Sequence, residues 1–311
     1  MQPDISVLIP AWNEADRIGE TIQAIARART TGARVEFVVM NDASEDDCVE
    51  HLIAMIPDLL EAPDIDIRLG HLDERSGVYR ARNEAAAHAS ADILFMTDAH
   101  VRFSQGWDRL VLEHIQPDRV LSATVIDPGS GARGYGCKLV VPFMGTAWNQ
   151  EPVEGLVPVQ IAPCSGTVLT RSLFDRLGGY DGGMLLYGAG EPEFSLRAWL
   201  HGAEIQAVEG LEVEHRFKPR DEMLDFLAQV REFWVHNCLR FGLLYMSELG
   251  CMQVLRYYAQ NFPNITPTAL ARVEQSDVWE RRALLESQRE RPFVWFVQRF
   301  GVTDQLGRDT L

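Results

Sequence analysis

Asp98 and His100 are the residues of this 311-residue chain whose types and spacing point first to chemistry. They follow Asp92-Ile93-Leu94-Phe95-Met96-Thr97, an apolar run that stops abruptly at an acid, a small residue and a histidine. A carboxylate oxygen and an imidazole nitrogen both suit a divalent cation. Residues two apart in extended backbone point to one face, so the two side chains can meet the same ion. A short, fully apolar run fits a strand buried within a parallel sheet, and open α/β sheets bind ligands just beyond the carboxyl ends of such strands. The same residues also fit a plainer arrangement, an aspartate capping the next turn beside a solvated histidine.

The elements needed to hold this pair in place can be read around it. Residues 5–10 form an apolar strand ending at Pro10, followed by a helix with Ile18, Ile22 and Ile25 on one face. Val35–Met40 is a second strand, and Ser44 is expected to cap a helix whose first turn is Glu45-Asp46-Asp47. A third strand spans Ile65–Leu69, a helix spans about 78–89, and the Asp92–Thr97 strand follows. Strand and helix therefore alternate four times in about 100 residues, the pattern of βαβ units and a parallel sheet. Beyond Val101 come a helix near 107–115 and short apolar runs at 120–126, 138–143, 157–162 and 166–170, which suggest a mixed or antiparallel addition. Gly178–Gly183 reads as a loop, Glu193–Leu200 as a short helix, and Glu204–Val208 and Leu211–Phe217 as two strands. From Pro219 the chain reads as helical, with breaks expected at Gly242, Gly250, Pro263, Pro267 and Pro292.

Composition narrows the classes. With 46% hydrophobic and 24% charged residues the chain can bury a sizeable core. A net charge of −16 argues against nucleic acid as a partner, because phosphate backbones need clustered Lys and Arg. Cys48, Cys137, Cys164, Cys238 and Cys251 are scattered and form no CxxC pair. They read as reduced thiols, and with neither a signal peptide nor a transmembrane run in the sequence, a cytoplasmic location is expected.

In order along the chain, these segments resemble the GT-A glycosyltransferases of family 2 type. Val7-Leu8-Ile9-Pro10-Ala11-Trp12-Asn13-Glu14 is similar to that family's opening strand and P-x-x-N-E turn. Val38-Val39-Met40-Asn41-Asp42-Ala43-Ser44 resembles its V-D-D-x-S loop, with Asn41 replacing the first Asp, and Arg80-Ala81-Arg82-Asn83 resembles its A-R-N. Asp98-Ala99-His100 replaces the usual Asp-x-Asp with the Asp-x-His form of the polypeptide N-acetylgalactosaminyltransferases. Leu177–Asp181, Tyr187–Trp199 and Val213–Phe217 resemble further segments of those enzymes in the same order.

The resemblance implies an α/β GT-A fold, a mixed sheet flanked by helices, with a catalytic domain over 1–218; residues 219–311 lie outside the resemblance and read as a helical extension for acceptor binding or oligomerisation. It implies a UDP-sugar donor, a Mn2+ or Mg2+ ion on Asp98, His100 and His215, and transfer to a small-molecule, glycan or peptide acceptor, with a homo-oligomer possible. Pro10, Ala11 and Glu14 would border the base and ribose, Asp42 would accept the uracil N–H, and Arg82 would steady the base loop or a phosphate. Asp42 also fits an Asx turn, and Glu14 a first-turn helix acid. Glu191, with Gly190 before it, falls where inverting relatives carry a base and retaining ones an Asn, and Glu193 is the second catalytic candidate. Arg216 and Lys218 would add positive charge near the diphosphate, with Phe217 and Pro219 in a lid. A nucleotide-sugar hydrolase and a degenerate, non-catalytic nucleotide-sugar-binding protein are the competing readings. A nucleotidyltransferase is disfavoured by the lack of a basic, Gly-rich loop near the first strand.

Overall fold

The computed structural model describes residues 2–62 and 64–303. Its first hundred residues alternate as expected: β1 (Ile5–Ala11), α1 (Arg17–Arg27), β2 (Val35–Asn41), α2 (Cys48–Leu59), β3 (Ile65–His71), α3 (Val78–His88) and β4 (Ile93–Met96). These strands are parallel in the order β4-β1-β2-β3. The chain builds outward from β1 to β3 and then returns to lay β4 on the other side of β1. That reversal opens a crevice at the carboxyl ends of β1 and β4. Because β1, β2 and β4 are largely apolar and buried, alternate residues supply both faces of the sheet. Ile5, Val7 and Ile9 join Phe37, Val39 and the Ile18, Ile22 and Ile25 stripe of α1, whereas Leu8, Val38 and Met40 pack with Tyr79, Ala81 and Ala85 of α3.

Ser44 does not cap α2, which starts only at Cys48. Its hydroxyl accepts the Asn13 N–H at 3.0 Å, and its own N–H donates to Asn41 Oδ1 at 3.0 Å, so it ties the loops after β1 and β2 together.

The next stretch comprises β5 (Val101–Phe103), α4 (Trp107–His114), β6 (Arg119–Ile126), β7 (Arg133–Tyr135), β8 (Cys137–Val140), β9 (Gly145–Trp148), β10 (Leu156–Pro158), β11 (Thr167–Thr170), α5 (Arg171–Leu177), α6 (Gly190–Leu200) and β12 (Glu204–His215). The mixed character expected here is present. β11 runs antiparallel between β4 and β6, and β12 runs parallel to β6 but antiparallel to β5 and β10. The two strands expected over 204–217 are a single strand whose register shifts between Ala207 and Glu212, with Gly210 at φ +78°. A bulge of this kind interrupts apolar periodicity without ending a strand, which is why the sequence pattern splits there.

The helices that follow are α7 (Arg220–Tyr245), α8 (Glu248–Asn261), α9 (Thr266–Glu274), α10 (Val278–Gln288) and α11 (Phe293–Phe300). The chain leaves helix at Pro263 and Pro292 but not at Gly242, Gly250 or Pro267. Gly242 lies inside α7, where a Cβ would come within 3.3 Å of Val254 on α8, so it serves close packing. Gly250 and Pro267 fall in first helical turns, where a missing N–H costs nothing for proline. Val235 and Phe241 of α7, Tyr258 of α8 and Phe296 of α11 share one buried cluster with Leu94 and Trp199, so no gap in the core separates these helices from the sheet. None of the described helices is long and apolar enough to cross a membrane.

One buried ion pair pins α7 to the loop before α6. Arg240 donates through Nε and Nη2 to Asp181, at 2.7 and 3.0 Å, and both side chains are shut from solvent. Burial opposes the charge on Asp181, but the guanidinium outweighs it and holds the carboxyl below its ordinary value. A lowered folded-state value contributes stability above the ordinary Asp pKa of about 3.9, and that stability is lost as pH falls through the lowered value. Arg240→Met, which strands the carboxylate, is expected to lower unfolding free energy by about 3–5 kcal/mol in urea denaturation. A loss below about 1 kcal/mol would show that Asp181 finds other partners. Asp181→Asn should flatten the acid side of the stability profile.

Candidate functional site

A cavity of ≈ 430 Å³ opens where the carboxyl ends of β1, β2 and β4 meet the end of β12. Pro10, Ala11 and Glu14 line it from the first strand and its loop, Asp42 from the second, Asp98 and His100 from the fourth, and His215 and Glu191 from β12 and α6. His215 arrives through register. β12 runs antiparallel to β5 with His215 opposite Val101, and the next residue, Arg216, donates its N–H to the His100 carbonyl at 3.2 Å. The two imidazole rings lie 4.8 Å apart, and His215 Nε2 is 3.2 Å from Asp98 Oδ2.

Asp98 is held from both sides. Its Oδ1 accepts from Arg82 Nη2 at 2.7 Å while Oδ2 faces His215. Burial raises its pKa, but the His215 hydrogen bond and the Arg82 and histidine charges prevail and place it well below the carboxylate range. His100 Nδ1 lies 3.0 Å from Glu14 Oε2. Burial alone would push this imidazole down, and the Glu14 carboxylate reverses the direction.

Asp98, His100 and His215 fit a divalent ion in donor type. Two ligands about 2.1 Å from one ion and at right angles are about 3 Å apart, close to the His215–Asp98 spacing. A ligating histidine commonly gives its second N–H to a carboxylate, which is the His100–Glu14 arrangement. His215 Nδ1 has no such partner among the described residues. Among the described residues no three His, Cys, Asp or Glu side chains already close around a point, so Asp98, His100 and His215 would have to shift to share an ion.

The other expected residues divide. Asp42 makes no Asx turn. Its two oxygens accept the N–H groups of Ser76 (2.6 Å) and Gly77 (2.8 Å), and it keeps a place on the cavity wall. Arg82 is not at the base loop, because it is fully buried behind Asp98, with Nη1 3.7 Å from Glu191 Oε1. Glu191 lines the cavity, but Glu193 does not. Glu193 is fully buried, and its oxygens accept from Arg197 at 2.8 Å each and from the Tyr245 hydroxyl at 2.6 Å. Two residues along a helix is a rotation of about 200°, so these neighbouring acids face opposite sides of α6. Phe217 and Lys218 line the rim, with Phe217 packed 4.4 Å from the His215 ring.

Several wall residues carried no signal in sequence. Arg75 stacks on Trp12 with its guanidinium carbon 3.4 Å from the ring centroid, and Cys164 Sγ lies 3.7 Å from Asp98 Oδ2. Tyr187 and Phe226 meet edge to face at 5.0 Å on the rim. Tyr79, three positions before Arg82 on α3, bonds to Glu191, and that helical spacing was a usable clue.

The sequence pattern of the family described as Glycosyl transferase family 2 matches residues 6–174. Polypeptide N-acetylgalactosaminyltransferase 13 of Rattus norvegicus is 25% identical over 325 residues, an alignment covering 98% of this chain and 56% of the relative. The probable polypeptide N-acetylgalactosaminyltransferase 8 of Homo sapiens is 26% identical over 316 residues, covering 95% and 47%. The chain thus spans about half the length of these relatives. The structure of GalNAc-T7 with UDP, GalNAc and Mn2+ superposes with a TM-score of 0.72 at 18% identity, over 96% of this chain and 57% of that one. The mannosyltransferase PcManGT of Pyrobaculum calidifontis, with GDP-Man and Mn2+, gives a TM-score of 0.52 at 17% identity, over 97% and 80%. Both share the fold described above, a GT-A fold.

Glu14→Gln keeps the shape of the His100 partner but removes its charge. Manganese uptake, followed by calorimetry in the presence of UDP, is expected to weaken about 10–100-fold. Unchanged affinity would remove Glu14 from any role in orienting His100.

Proposed function

The chain belongs to glycosyl transferase family 2, and from that membership we propose that it moves a sugar from a UDP-linked donor to an acceptor hydroxyl, with the help of a divalent ion. The observation that carries this reading is the meeting of Asp98 and His100 with His215, from two separate segments, in one cavity that also holds Asp42 and Glu191. The names of the relatives, and the UDP and Mn2+ of GalNAc-T7, support UDP over other nucleotides and make UDP-N-acetylgalactosamine the first donor to test.

In this reading Asp98, His100 and His215 would hold Mn2+ or Mg2+. A bound ion would neutralise the charge that grows on the diphosphate as the sugar bond breaks. Arg82 keeps Asp98 ionised and aimed into the cavity. Lys218 adds positive charge on the same wall, on the segment 216–219 that would fold over the diphosphate. Pro10, Ala11 and Asp42 border the nucleotide, with the Arg75–Trp12 stack beside them. Glu191 is the carboxylate that meets the attacking hydroxyl as a base. Tyr187, Met223 and Phe226 give the acceptor side of the rim its apolar character. The N-terminal part to residue 218 carries donor chemistry, and the helices from 219 support it and shape the acceptor side. Five unpaired cysteines support a reducing compartment as its place of work.

Calorimetric titration of UDP into metal-stripped protein, with and without manganese, tests the reading. UDP binding is expected to require manganese, to exceed GDP binding, and to weaken at least about tenfold in His215→Ala. Incubation with UDP-N-acetylgalactosamine should then release UDP. Metal-independent binding of UDP, or none, would overturn the ion assignment and favour a degenerate binding site.

A further inference from the structure

We infer that Tyr79 is a positioning residue for Glu191, its hydroxyl proton anchoring one oxygen of that carboxylate at the cavity wall. The inference rests on the reading of Glu191 as the base that meets the attacking hydroxyl.

Tyr79 lies in the first turn of α3 and is fully buried. Its hydroxyl oxygen accepts two backbone N–H groups, from Gly188 and Gly190, each at 3.1 Å. A phenol oxygen offers two lone pairs and one proton. With both lone pairs filled, the proton has one direction left, and Glu191 Oε2 lies along it at 3.1 Å. Burial, and then the charge of Glu191, push the phenol well above its ordinary range, so the proton stays on the tyrosine.

The backbone that delivers Glu191 is fitted to this ring. A Cβ on Gly190 would fall 2.3 Å from Tyr79, and Gly188, at φ +100°, would place one 2.2 Å from Trp234. Only glycine allows the chain this close at both positions, so Glu191 enters α6 at a point set by Tyr79. The other oxygen, Oε1, faces Arg82 Nη1 at 3.7 Å. Tyr79 and Arg82 are three residues apart and share one face of α3, so a single helix hydrogen-bonds one oxygen and sets a cation 3.7 Å from the other, on a carboxylate that stays partly open to the cavity. A tyrosine that served only as a backbone clamp would need its two lone pairs. The third bond, to a cavity-lining acid, is what assigns the positioning role.

The test is a double-mutant cycle on the full chain, with UDP release from UDP-N-acetylgalactosamine in manganese buffer as the probe and water as acceptor. Tyr79→Phe keeps the ring and removes only the hydroxyl. It is expected to lower kcat about tenfold or more with donor KM within about twofold, because a misaimed base slows the chemical step without altering donor binding. In the Glu191→Gln background the same change is expected to alter kcat less than about twofold. An equal factor in both backgrounds would mean that Tyr79 acts on the backbone alone, and would overturn the inference. Glu191→Gln at the wild-type rate would overturn the reading of Glu191 itself, an outcome visible without any Tyr79 variant. A crystal structure of Tyr79→Phe gives a readout independent of turnover. The Glu191 carboxylate should turn away while residues 188–190 hold their path, and an unmoved carboxylate overturns the inference.

Discussion

A guanidinium shut from water calls for acceptors, and much of the site follows from how Arg82 meets that demand only in part, with a hydrogen bond at Nη2 and none among the described residues at Nε or Nη1. The side chain is fully buried. It spends its 2.7 Å bond on Asp98 Oδ1 and points Nη1 toward Glu191. Asp98 is therefore ionised and fixed on one oxygen, which leaves the other for His215. The pair of acids that the cation draws together comes from β4 and α6. One buried charge on α3 thus sets the distance between the part of the cavity suited to an ion and the part that carries a carboxylate.

The same economy governs the helices after the sheet. Asn237 on α7 accepts the Leu185 N–H at 2.8 Å and donates to the carbonyls of Leu185 and Gly188, at 2.7 and 2.9 Å. Arg240 holds Asp181, and Tyr245 holds Glu193. These three residues stand along one helix, and each grips the segment that leads into or forms α6. The helices from 220 onward are thus part of what positions Glu191, and the shared hydrophobic cluster makes them continuous with the sheet.

The elements were largely legible because local periodicity decides them. Ile18, Ile22 and Ile25 repeat at helical spacing, and β1 and β2 are apolar runs ended by polar turns. The errors fell where a distant partner overrode a local signal. Ser44 had cap chemistry, but its hydroxyl oxygen accepts the Asn13 N–H instead. Gly242 reads as a breaker, yet α8 packing needs it inside α7. Arg82 matched a motif expected at the base loop or a phosphate, and the side chain is instead buried against Asp98 at the cavity wall.

By itself the sequence determined the alternation of strands and helices, which residues face the core, and the adjacency of Asp98 and His100 at a strand end. Each of these follows from forces that act within a few residues: backbone periodicity, turn chemistry and the burial of apolar side chains. Its resemblance to a family named His215 and Glu191 as candidates without saying where they lie. Only the tertiary structure decided that β12 pairs with β5 in the register that sets His215 against Asp98. It alone showed that Glu191 faces the cavity while Glu193 is spent inside, and that Tyr79 has one proton left to give. Strand register and the partners of buried polar groups depend on segments far apart in the chain, and no local pattern encodes which of them will meet.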